Sequence, residues 1–154
     1  AIAVDPSYTG AYFGLARTYN KLGWAEEEID VYHELLMIEP DMVAALQNLG
    51  NAYVSEKRYD AAIEQYLQAI EFMPDSSELY YNLGVVYANM EFYEEAKEQY
   101  LLAVQVDEKN ASAHHALAIS YYMLKEYDLA RRHVRIAQKY GFEVQKDLLK
   151  ALKE

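Results

Sequence analysis

The sequence has no cysteine, which excludes disulfides and thiolate chemistry and leaves both reducing and oxidising compartments open. No apolar run approaches the roughly 18 residues that a membrane span needs. Residues 1–8 have neither the basic start nor the long apolar segment of a signal peptide. We therefore expect a soluble chain without membrane insertion, of undetermined localisation, with the cytoplasm as the default. Basic residues are also scarce, 14 against 25 acids, for a formal net charge of −11. Over residues 1–110 there are 6 basic and 20 acidic side chains, whereas residues 111–154 carry 8 and 5. Most of such a surface repels a phosphate backbone, so nucleic acid is excluded as a partner. There are only six glycines, and none forms a phosphate-binding loop, since Gly10 and Gly14 fall inside a predicted helix. The three prolines, Pro6, Pro40 and Pro74, recur at one interval.

Hydrophobic residues make up 53% and charged residues 25%, the balance of a folded chain. Their order repeats. With Val43 as position one, Leu46 stands at four, Leu49 and Gly50 at seven and eight, Tyr53 at eleven, Ala62 at twenty, Tyr66 at twenty-four, Ala69 at twenty-seven and Pro74 at thirty-two. One period to either side gives a column of Leu15, Leu49, Leu83 and Leu117, and another of Tyr19, Tyr53, Tyr87 and Tyr121. This pattern resembles the tetratricopeptide repeat (TPR), a helix-turn-helix unit of about 34 residues.

The resemblance implies an all-α solenoid of helical hairpins wound as a right-handed superhelix, with four repeats and a C-terminal capping helix. In its frame the units are 9–42, 43–76, 77–110 and 111–144. Residues 1–8 then read as the end of a preceding repeat or an N-terminal stub, as if cut from a longer array, and 145–154 as the cap. Helices are expected near 8–21, 25–38, 41–55, 59–72, 76–89 and 93–106, with a last one over about 144–153 carrying Val144, Leu148 and Leu152 on one stripe. Its other face would show Lys146, Asp147, Lys150 and Lys153 to water. Gly23 and Gly141 sit where a helix end calls for positive φ. Asp75 and Glu78 have capping-box spacing. Trp24, Phe92 and Tyr93 at the turns are expected to cover the seams between repeats. Two residues break the first repeat: Glu28 in the column of Ala62, Ala96 and Ala130, and Leu35 in that of Ala69, Ala103 and Ala137. We expect Glu28 to lean toward water or bond a tyrosine hydroxyl, although desolvation would raise its pKa. The fourth repeat has Ala118 for glycine, His114 at position four and no proline.

No catalytic constellation is present, and no enzyme, cofactor or metal is inferred. His114 and His115 point about 100° apart on a helix, and His33 and His133 lack ligand-spaced carboxylates. Acidic runs such as Glu26-Glu27-Glu28 and Glu94-Glu95 lie at helix starts, where the dipole favours them. The tyrosine columns are packing positions.

The remaining candidate is the concave groove that first helices line in the family. Its exposed positions correspond here to Phe13, Gln47, Tyr81 and His115 at position five, and Asn48 and Asn82 at six. Position nine holds Arg17, Asn51, Val85 and Ile119; positions twelve and thirteen add Asn20, Lys21, Asn89, Tyr122 and Met123. Asn48 and Asn82 resemble the asparagine ladder by which some TPR proteins hold a peptide main chain, because an amide both donates and accepts. The carboxylate clamp of chaperone-binding members is incomplete: Asn51 and Asn82 match, but Gln47, Ser112 and Ala116 occupy its other places. The implied function is a protein-interaction module that takes a peptide or helical segment into the groove, as part of a larger scaffold. Two alternatives remain open: a scaffold that self-associates through its terminal faces or groove, or the substrate-recruiting arm of a larger enzyme.

Overall fold

The computed structural model describes residues 6–153 and falls into two compact units, Ala1–Pro74 and Asp75–Glu154. The first contains α1 (Pro6–Leu22), α2 (Ala25–Ile38), α3 (Val43–Ser55) and α4 (Tyr59–Phe72). The hairpins α1–α2 and α3–α4 stack through α2 against α3. In the second, α5 (Ser77–Asn89) pairs with α6 (Tyr93–Val106), and α7 (Ala111–Met123) with α8 (Tyr127–Lys139). Here α6 packs on α7, and the short α9 (Lys146–Ala151) follows. No strand occurs among the described residues. The architecture is the all-α helical-hairpin type that the repeat columns imply.

The columns build the hairpin cores. Leu49, Leu83 and Leu117 are buried, as are Tyr53, Tyr66, Tyr100 and Tyr121. A Cβ at Gly50 would lie 2.9 Å from the Tyr66 ring, and one at Gly84 2.5 Å from the Tyr100 ring. The missing side chain is thus what lets each ring lie against the facing helix. Leu15 departs from its column at 44% exposed.

Every hairpin turn is closed the same way. Gly23, Lys57, Glu91 and Lys125, one period apart, all take positive φ, between 59° and 72°. The next amide then reaches back five residues: Trp24 to the Tyr19 carbonyl, Arg58 to Tyr53, Phe92 to Tyr87 and Glu126 to Tyr121, at 2.8–3.0 Å. This satisfies carbonyls that a helix end leaves without partners. Gly141 repeats the device with φ 87°, and the Phe142 amide bonds Ala137 O. Only the first and last turns have the residue that adopts this conformation without strain.

Several expectations need correction. Pro6 is the first residue of α1, where its fixed φ and absent N–H suit a helix start, so that helix begins earlier than its pattern suggested. The reading of residues 1–5 as part of a preceding repeat lies outside the described residues. The third and last helices begin at Val43 and Lys146 rather than at 41 and 144. Ser76, not Asp75, caps α5, its hydroxyl accepting from the Leu79 amide at 3.4 Å. Trp24 stacks on Tyr19 with ring centroids 5.8 Å apart but stays half-exposed, as does Phe92, so neither fully covers a seam.

The end of the second unit is closed by 144–152. Val144 and Leu152 are buried in the α6–α8 core, with Phe142, Leu148 and Leu149 packed against it. Arg131 Nε donates to Leu152 O at 2.7 Å, while Lys146, Asp147, Lys150 and Lys153 face outward.

Candidate functional site

In the first unit, α1, α2 and α3 enclose a cleft of about 570 Å³. Its α1 wall begins with Gly10 and Gly14, whose missing side chains leave open space, and continues through Phe13, Arg17 and Asn20. From α2 come Glu28 and Tyr32, and from α3 Asn48, Asn51, Ala52 and Ser55. One side of each helix faces the cleft because these positions recur at three- and four-residue spacing.

Five of the sequence-predicted groove residues therefore meet here: Phe13, Arg17, Asn20, Asn48 and Asn51. Phe13 packs edge-on to Tyr32 at 5.9 Å. Asn51 is exposed and accepts from the Tyr66 hydroxyl at 2.5 Å, so the buried ring of the core aims an amide at the surface. Asn48 is half-buried, with Nδ2 donating to Ala44 O of its own helix at 2.8 Å and leaving its amide oxygen as an acceptor. Lys21 is exposed and Gln47 half-buried; neither lines this cleft.

At the cleft floor lies the residue that breaks the small column. Glu28 is only 6% exposed. It does not lean into water or reach a tyrosine; Asn20 Nδ2 donates to its Oε2 at 2.9 Å. Burial, and then the nearby Glu28 charge, push the Tyr32 hydroxyl up to about 12. Leu35, the large residue in the other small column, is wholly buried.

The second unit uses its predicted residues differently. Tyr81, Val85 and Tyr122 lie partly in its core, and Tyr81 approaches Tyr100 at 5.7 Å. His115 stacks on Phe142 at 4.3 Å, and its Nε2 is buried without a hydrogen-bond partner. Burial lowers its pKa. Asn82 is half-buried; Asn89, Ile119 and Met123 are exposed.

A pairing the sequence reading missed lies beneath them. His114 on α7 and His133 on α8 are both buried, with their Nδ1 atoms 2.9 Å apart. His114 Nε2 faces Glu108 O at 3.0 Å and so carries the proton there, which leaves its Nδ1 to accept from His133. Position four of a first helix thus faces the residue before the ring column of the second, and two histidines in those places were the available signal. Among the described residues, no group of three or more His, Asp or Glu is placed to hold a metal ion.

Two family models match, one described as "TPR repeat" over residues 50–91 and one as "Tetratricopeptide repeat" over 9–42 and 77–110. Together they cover more than half of the sequence. The chain belongs to the tetratricopeptide repeat family. Solved TPR structures share its fold. PilF of Pseudomonas aeruginosa aligns over 93% of this chain and 68% of its own, with TM-score 0.81 and 22% identity. A crystal structure of MamA aligns over 88% and 80%, with TM-score 0.79 and 23% identity. MamA from Desulfovibrio magneticus RS-1 gives 84% and 73%, TM-score 0.76 and 20% identity. No curated protein matches the sequence. As TPR units, these hairpins belong to a class that generally mediates protein–protein interaction and not catalysis. Among the described residues, no helix is long and apolar enough to cross a membrane.

Proposed function

We propose that the chain is a protein-interaction module that receives a peptide or helical segment of a partner on the face lined by its first helices, without catalysis of its own. The observation that carries this reading is the cleft between α1, α2 and α3, which gathers five predicted groove residues around exposed and half-buried amides. Amides that can donate and accept suit a main chain whatever its side chains are. In the second unit, Asn82 stands at the position of Asn48, followed by a more apolar surface at Ile119 and Met123. The net negative charge favours partners without acidic runs.

The test begins by capturing partners with the wild-type chain and delimiting the bound segment. Asn48→Ala combined with Asn82→Ala is expected to weaken its affinity by about one to several kcal/mol, at roughly 0.5–1.5 kcal/mol for each hydrogen bond lost. Stability should hold, since the bond that Asn48 gives to Ala44 O is a solvated one within a single helix turn. Full-strength binding by a stable double variant would contradict the amide reading.

Self-association is a second reading, favoured by the uneven charge: acids predominate through residue 110 and bases beyond it. Salt-sensitive oligomers in sedimentation would support it, and a monomer at all salt concentrations would remove it.

A further inference from the structure

Glu28 is a carboxylate in a place where its three column mates are alanine, and it is 6% exposed at the floor of the 570 Å³ cleft. Burying a charge is costly unless it is paired, yet among the described residues no cation stands within ion-pair distance of it. Among the described residues, its one hydrogen-bond donor is the neutral amide of Asn20. A second opening of about 220 Å³, between the α1–α2 turn and the end of α3, is also lined by Glu28. The same cleft is lined by the rings of Phe13 and Tyr32, edge-on to each other at 5.9 Å, and by the exposed amide of Asn51. A desolvated carboxylate beside aromatic rings and amide oxygens is the environment that binds an ammonium or guanidinium group. Arg17, the cation of the cleft wall, is exposed and makes no ion pair with Glu28.

We infer that this cleft recognises a lysine or arginine side chain of the partner segment, whose cation enters to pair with Glu28 while Asn51 meets the adjoining main chain. The inference rests on the reading that a segment lies in the cleft, and adds the side chain it must carry. A planar guanidinium can meet the free carboxylate oxygen and stack on a ring at once, so arginine is the better fit.

Two capped pentapeptides serve as probes, each with a central residue flanked by alanines: arginine in one, citrulline in the other. Citrulline keeps the shape and removes the charge. Titrated into the isotope-labelled full chain, the arginine peptide is expected to shift the Asn20 and Asn51 side-chain signals saturably, and the citrulline peptide to bind at least tenfold more weakly. Glu28→Gln should bring the arginine peptide down to the citrulline level with melting unchanged or raised. Glu28→Ala, which restores the column's small residue, provides the same comparison if the glutamine variant folds poorly. Arg17→Ala should strengthen arginine binding by removing a like charge; a loss would make Arg17 the recognising group and overturn the proposal. Equal affinity for both peptides at the cleft signals would also overturn it, while leaving the cleft as a segment site. If neither peptide moves those signals although a captured partner still depends on Asn48 and Asn82, the cation site is wrong and the groove reading stands. A captured partner that depends on neither Glu28 nor the asparagines would defeat both.

Discussion

At the scale of single residues, close approach sets the sharpest constraint. Because a Cβ at Gly84 would lie 2.5 Å from a carbon of the buried Tyr100 ring, Gly84→Val should cost about 1–3 kcal/mol by overpacking. Urea unfolding will measure it, and an unchanged midpoint would show that the ring yields freely. This constraint was legible in the sequence, since Gly50 with Tyr66 recurs one period on as Gly84 with Tyr100, although the first hairpin has Ala16 in the glycine column and a buried Tyr32 in the ring column. The fourth hairpin shows the same logic by exception, with Ala118 in the glycine column and Val134 in the ring column, both in the core. The histidine pair was signalled only by the two positions it occupies, because its contact depends on which residues face each other across a hairpin. Burial, and then the electrostatic influence of the neighbouring His114 and Arg132, lower the His133 pKa from 6.5 to about 4. The rings of Tyr121 and Tyr140 complete its surroundings, the first stacked on His133 and the second on His114. A histidine whose folded pKa is depressed contributes stability that is fully present above its unfolded pKa and is lost as pH falls from 6.5 to about 4. The loss should be on the order of 3 kcal/mol. His133→Gln, which places the residue found at positions 65 and 99, should flatten that part of the stability profile; an equally steep profile would locate the acid sensitivity elsewhere.

At the scale of elements, helix identity and order followed from the columns, but helix ends followed from local chemistry that the columns do not encode. Asp75 had capping-box spacing, yet the Ser76 hydroxyl took the cap because it lies one residue nearer to the first free amides. The capping role of α9 was readable from its apolar stripe. Its anchors differ in detail: Val144 is buried ahead of the helix, and Arg131 holds the far end through Leu152 O. Burial of a Val or Leu side chain contributes roughly 1.5–3 kcal/mol, so ending the chain at Gly141 should destabilise it by about 3 kcal/mol or more and lower its solubility. Thermal melting and light scattering of the shortened chain check both effects together. A protein that melts unchanged and stays monomeric would remove the capping role.

At the scale of the whole molecule, the period of the sequence fixes a family and with it a class of function, whereas the partner is specified only by what fills the groove positions. Those positions proved to be of two kinds. Phe13, Arg17, Asn20, Asn48 and Asn51 line one cleft in the first unit, while Tyr81, Val85 and Tyr122 are shared with the core of the second. Position number alone could not separate them, because a ring or branched side chain at a groove position can fold back onto its own hairpin. Glu28 was visible as an anomaly from the start, but its burial and its bond to Asn20 required the helices to be placed. The central claim, that a partner segment is received by the first helices, is tested most directly by hydrogen exchange of the chain with and without a captured partner. The account predicts new protection on α1 and α3 around residues 10–20 and 48–55. Protection confined to the outward sides of α2 and α4, around the exposed Met37 and Leu67, would contradict it.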